Sequence, residues 1–162
     1  MYKKPLVCGI GNMLMGDDGF AQHVLELLER KGIDADLRDF GTAALSVAND
    51  LCDYDFVIFI DSISGGEPPG TIYEIEVNAF ELMDEAGSEN DSPLMFSFSF
   101  HDADLKSMLV FAKRIGCFPE RVIIIGCEPG SITPTLELSP VVNKAVEKVA
   151  ARVMEILEEN YN

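Results

Sequence analysis

The chain has 162 residues, 48% of them hydrophobic, with 28 acidic against 12 basic side chains and a formal net charge of −16. A chain of this size buries roughly two-thirds of its unfolded surface, so a single domain over 1–162 needs neither metal nor disulfide to hold it. The acidic balance excludes a nucleic-acid footprint, and no apolar run approaches the roughly 20 residues of a membrane span.

Residues 5–9 form an apolar run and read as a first strand. It leads into Gly9-Ile10-Gly11-Asn12-Met13-Leu14-Met15-Gly16-Asp17-Asp18-Gly19, and the amphipathic Val24-Leu25-x-Leu27-Leu28 follows. The stretch is therefore a strand-to-helix turn, with the helix reaching about Arg30 and stopped by Gly32. Glycine-rich turns of this kind usually aim N–H groups at a phosphate. This one ends in adjacent carboxylates, which repel phosphate and attract a cation. Gly9-x-Gly11 begins a dinucleotide fingerprint, but its third glycine would fall at position 14, which is Leu. No Gly-Lys-Ser/Thr occurs, which excludes a P-loop.

Residues 36–40 read as a short second strand, followed by Gly41-Thr42 and a helix near 43–52. Phe56-Val57-Ile58-Phe59-Ile60 is fully apolar and β-rich, suited to the middle of a sheet covered on both faces, and it ends on Asp61. The Gly- and Pro-rich 62–70 reads as a loop, and the alternating 71–77 as a half-exposed strand at a sheet edge. An acidic stretch at 84–93 precedes Phe96, Phe98 and Phe100 on alternate positions, then a helix over about 101–115 and a buried strand at 122–125. A loop runs through Pro134. The last helix has Ser139 at N-cap, Pro140 at N1, and Val142, Val146, Val149, Val153 and Leu157 on its inner face. Alternating strands and helices specify an α/β domain with a mostly parallel sheet.

In open α/β sheets the binding crevice lies beyond the carboxyl ends of the strands. Asp17-Asp18, Asp39 and Asp61 sit at such ends, and Asp18 and Asp61 converge if the first and third strands are neighbours. Of the two histidines, His23 reads as a surface or packing residue of the first helix. His101 follows Ser99, and Ser99-x-x-Asp102 resembles a capping box, which places His101 in a first helical turn where the dipole favours the neutral, metal-binding ring. Two carboxylates and an imidazole suit Ni²⁺, Zn²⁺ or Mn²⁺ with open positions left. The four cysteines, Cys8, Cys52, Cys117 and Cys127, lie far apart and read as buried reduced thiols of a cytosolic protein. No Gly-x-Ser-x-Gly elbow is present, and Cys117 lacks a recognisable His/Asn framework.

These residues resemble a known family, the nickel–iron hydrogenase maturation endopeptidases. The resemblance rests on Gly9-x-Gly11-Asn12-x-Leu14-x-x-Asp17-Asp18-Gly19, Asp39-x-Gly41-Thr42, Ile60-Asp61, Ser99-x-His101, and Ile125-Gly126-Cys127-Glu128-Pro129 with Leu138-Ser139 beyond it. The blocks occur in the family's order over nearly the whole chain. They imply an α/β three-layer sandwich, with a mixed, mostly parallel five-stranded sheet and helices on both faces. They imply a cytoplasmic protease that clips the C-terminal extension from a nickel–iron hydrogenase large-subunit precursor once nickel is inserted. The metal contacts carried over are Asp18, Asp61 and His101, the nickel being brought by the substrate, with Asp39 in substrate recognition. The natural candidates for the general base are Asp18 and Asp17. Ala21 stands where the family often has glycine, Asp102 follows His101 where many members have an uncharged residue, and the acidic insertion loosens the match over 77–98. The acidic character resembles the versions associated with the coenzyme F420-reducing hydrogenase. The alternative is a non-catalytic accessory protein that binds the nickel-loaded large subunit as a chaperone.

Overall fold

The computed structural model describes residues 3–80, 82, 99–100 and 104–161. Its strands are β1 (Leu6–Ile10), β2 (Asp36–Gly41), β3 (Phe56–Ser64), β4 (Ile72–Val77), β5 (Ser99–Phe100) and β6 (Arg121–Cys127). The helices are α1 (Phe20–Lys31), α2 (Asp104–Arg114) and α3 (Pro140–Tyr161), with 3-10 helices at Gly16–Gly19 and Ala44–Asp53. The sheet runs β2-β1-β3-β6-β4, and β5 pairs with the far end of β3. β1, β2, β3 and β6 are parallel, and β4 runs antiparallel along β6. The main sheet is thus five-stranded, mixed and mostly parallel, with β4 at an edge as its half-polar pattern requires.

Side-chain alternation along the strands makes two cores. Leu6, Cys8, Val57, Phe59, Val122 and Ile124 pack on one face against Leu105, Met108 and Leu109 of α2 and Leu51 of the second 3-10 helix. Val7, Ile58, Ile60, Ile123 and Ile125 pack on the other face against α1 and α3. Helix α1 ends where Gly32 turns left-handed, with its N–H on the Glu29 carbonyl. The inner face of α3 is the valine and leucine stripe read from the sequence, and all of its members are buried. Among the described residues no helix is long and apolar enough to cross a membrane.

The structure departs from the sequence reading at three points. Strand β3 does not stop at Asp61 but continues to Ser64, because Ser62 pairs with Cys127 on β6 while Ile63 and Ser64 pair with β5. The loop therefore starts only at Gly65. The helix expected near 43–52 is present as a 3-10 helix, Ala44–Asp53. Ser99 is not the cap of α2, since Ser99 and Phe100 form β5 and pair with Ser64 and Ile63. His101, the 84–93 stretch, Phe96 and Phe98 lie outside the described residues.

The last correction concerns the thiols. Cys52 and Cys117 form a disulfide across a sequence separation of 65, and only Cys8 and Cys127 are buried free cysteines. Spacing could not announce this pair, because α2 packing on the second 3-10 helix is what brings the two together. Cys52 is exposed rather than buried.

Candidate active site

The turn after β1 is built around Gly11. Its φ is +134°, and a Cβ there would overlap the carbonyl oxygen of Asp18, so glycine alone fits. The Gly11 N–H donates to the Gly41 carbonyl at 2.9 Å, tying this turn to the end of β2. Asn12 N–H donates to Asp18 Oδ2 at 2.9 Å, and Leu14 N–H donates to Asn12 Oδ1 at 3.0 Å. The Asp18 carboxylate is thereby held over its own turn. Three further bonds zip this turn to the loop after β6: Gly16 N–H to the Thr135 carbonyl, Asp17 N–H to the Ser131 carbonyl and Thr135 N–H to the Leu14 carbonyl.

Asp17 completes that junction. It is 1% exposed, and its carboxylate accepts the amides of Gly130, Ser131 and Ser139 at 2.7–2.8 Å together with the Ser139 hydroxyl at 2.8 Å. Burial works to raise its pKa. The donors from Ser139, Ser131 and Gly130 outweigh that, so the carboxyl titrates below its ordinary value. The Ser139 hydroxyl, expected to cap α3, is spent on this bond.

Asp61 is in the opposite state. It is fully buried in β3, its Oδ1 accepts the Ser62 amide at 2.7 Å, and its Oδ2 is buried with no hydrogen-bond partner among the described residues. Burial pushes its pKa well above the carboxylate range; the Ser62 amide pulls it down, and the nearby negative charge of Asp18 pushes it further up. The parallel pairing of β1 with β3 is what brings Asp18 and Asp61 into one field. A buried carboxylate facing a second one needs either a proton or a cation.

Asp39 lies on β2. Its Oδ1 accepts the Gly41 amide at 2.8 Å and the Gln22 side-chain amide at 2.9 Å. Gln22 also donates to the Gly11 carbonyl at 3.0 Å, so it couples the Asp18 turn to Asp39. Sequence reasoning passed over Gln22, because an amide on an amphipathic helix gives no signal until β2 is placed beside it. It likewise gave no separate role to Glu128, 7% exposed, which accepts the Gly65 amide at 2.7 Å and the Tyr73 hydroxyl at 2.6 Å and so fixes the loop that leaves β3. Burial raises the Cys8 thiol well above its ordinary pKa and is the main cause lifting Cys127 to about 12, so neither supplies a nucleophilic thiolate. Among the described residues there is no group of three or more His, Cys, Asp and Glu that could hold a metal ion.

Comparison with known proteins bears on this geometry. The family model described as hydrogenase maturation protease matches residues 22–156. The hydrogenase 2 maturation protease of Escherichia coli (strain K12) is 30% identical over 161 residues, covering 96% of this chain and 91% of that protein. The hydrogenase 2 maturation peptidase of a Thaumarchaeota archaeon superposes with a TM-score of 0.73 at 38% identity, over 96% of this chain and 98% of that one. The hydrogenase maturating endopeptidase HybD of E. coli superposes at 0.78 with 25% identity, over 97% and 93%. With sequence and fold matching over nearly the full length, the chain belongs to the hydrogenase maturation protease family and is a peptidase.

Proposed function

We propose that this peptidase removes the C-terminal extension of a nickel–iron hydrogenase large-subunit precursor after nickel has been inserted, and that it recognises the nickel carried by that substrate. The observation that carries the reading is Asp61: a buried carboxylate with one oxygen unpaired among the described residues, lying in the field of Asp18. Evolution of a soluble core has no use for such a group, since an apolar side chain of similar volume would cost less. A substrate cation accounts for it. Asp18 and Asp61, joined by His101, would hold the nickel, fix the precursor tail beside them and exchange the Asp61 proton for the metal. Nickel supplies polarisation of the scissile carbonyl or of a water.

Asp18 is the general base in this reading. Asp17 is engaged by four donors, and accepting a proton there would break the junction that positions its neighbour. Asp39 takes part in recognising the tail. The acidic composition alone supports the finer assignment to a precursor of the coenzyme F420-reducing type. Incubating the purified protein with full-length precursor and reading the precursor's intact mass tests the proposal. Loss of the extension supports it; stable co-elution with an uncleaved, nickel-loaded precursor is the result expected of an accessory chaperone.

A further inference from the structure

A cavity of about 240 Å³ opens between α1 and β2, beside the Asp18 turn. Gln22 forms part of its wall and is itself 5% exposed. The Gln22 amide is held in one orientation, because Nε2 spends its two hydrogens on the Gly11 carbonyl and on Asp39 Oδ1. Its Oε1 is buried and has no hydrogen-bond partner among the described residues. A buried acceptor in a fixed amide carries a desolvation cost that a ligand bringing a donor removes.

The rest of the wall limits what that ligand is. Leu25 and Leu37 give an apolar surface, and the 40% exposed Met13 stands at the mouth. Glu26, Glu29 and Asp39 put negative charge on the rim. Arg38, the cation of this wall, is bonded to Asp50 at 3.0 Å and lies over the Tyr54 ring. The site therefore disfavours an acidic ligand and suits a chain with an N–H to give and apolar surface to bury. Among the described residues β2 is terminal in the sheet order, and an edge strand is where an extended peptide docks. The volume fits a short peptide segment rather than a drug-sized ligand.

We propose that this cavity is a subsite for the extended tail of the precursor, with a peptide N–H of the tail donating to Gln22 Oε1 and an adjacent apolar side chain lying on Leu25 and Leu37. The inference rests on the reading of the chain as a precursor-processing peptidase. Gln22 is then the register mark of the substrate: one amide reads the tail while its donors hold Asp39 and, through Gly11, the Asp18 turn.

The test uses the full-length protein, nickel-loaded precursor, and a synthetic peptide copying the precursor's C-terminal extension, with a scrambled peptide as control. The ¹⁵N–¹H signals of the Gln22 side-chain amide should shift with the native peptide and stay in place with the scrambled one. Glu26→Trp fills the cavity from an exposed helix position and leaves the Gln22 bonds untouched. It should raise KM for precursor about tenfold with little change in kcat and no loss of melting temperature. Gln22→Met should raise KM similarly; if it melts early through loss of its bonds to Gly11 and Asp39, Glu26→Trp and the amide signals decide. Wild-type KM in Glu26→Trp, or unmoved Gln22 signals in a protein that processes precursor, overturns the subsite and leaves the peptidase reading standing. A wild-type protein that leaves nickel-loaded precursor whole overturns both.

Discussion

Asp17 and Ser139 stand 122 residues apart in sequence and are joined twice: the Ser139 amide donates to Oδ1 at 2.7 Å and its hydroxyl to Oδ2 at 2.8 Å. The pair closes the turn after β1 against the start of α3. Asp18, next in sequence, is positioned by that closure, so the acid beside the proposed metal contact works as its foundation.

Asp17→Asn places an amide among four donors and should cost about 2–4 kcal/mol in urea unfolding at neutral pH. The Asp17 pKa is lowered in the folded state, so its contribution is complete above the ordinary carboxylate range and is lost as pH falls through the folded value. The gap between wild type and variant should narrow on acidification. A gap that holds constant into the acid range would show that charge on Asp17 is irrelevant to the junction.

Asp61 has the reverse sign. Its folded pKa lies above the unfolded one, so folding favours the protonated form, and stability is lost as pH rises from the ordinary carboxylate value through the raised one. Asp61→Asn should abolish that slope, match or exceed wild-type stability at neutral pH, and still lower precursor processing more than about 100-fold, beyond the range seen for groups that merely support a ligand. Measuring unfolding across pH alongside processing checks both halves. A stable Asp61→Asn protein with wild-type processing would remove Asp61 from the site.

Gly11→Ala forces a side chain into a φ of +134° and against the Asp18 carbonyl. It should cost about 3 kcal/mol or more and abolish processing even at temperatures where the variant remains folded, because Asp18 is displaced. Crystals or circular dichroism of a fully active, wild-type-stable Gly11→Ala protein would contradict the turn geometry.

Cys52→Ser should lower stability by about 2–4 kcal/mol, the range for a cross-link closing a long loop. Wild type measured with a thiol reductant should fall to the level of the variant, and the variant should not respond to reductant. Insensitivity of the wild type would mean that α2 and the second 3-10 helix are held by their apolar contacts alone.

The sheet was readable because β3 and β6 are unbroken apolar runs and β4 alternates, patterns that burial on two faces and on one face respectively impose. The strand-to-helix turn over 9–19 was readable as well, since an apolar run, a set of glycines and an amphipathic stretch follow one another there. Asp61 misled about the end of β3: a charged residue after five apolar ones looks like a strand terminus, whereas pairing with β6 and β5 carries the strand to Ser64. The Cys52–Cys117 bond and the Gln22 bridge depend on which elements become neighbours, and that is decided by packing rather than by any local pattern. The different duties of Asp17 and Asp18 were equally invisible, because only the loop after β6, more than a hundred residues on, supplies the donors that separate them.

If the protein reads nickel in its substrate through Asp18, Asp61 and His101, cleavage depends on that nickel and on each of those side chains. The most direct test is the intact mass of the large-subunit precursor after incubation with the purified protein, with nickel-loaded and nickel-free precursor in parallel. A shortened product is expected from the loaded precursor alone, and none from either precursor with His101→Ala, a variant that should lose at most about 1 kcal/mol of stability. Equal cleavage of nickel-free precursor, or wild-type cleavage by folded His101→Ala protein, would contradict that dependence.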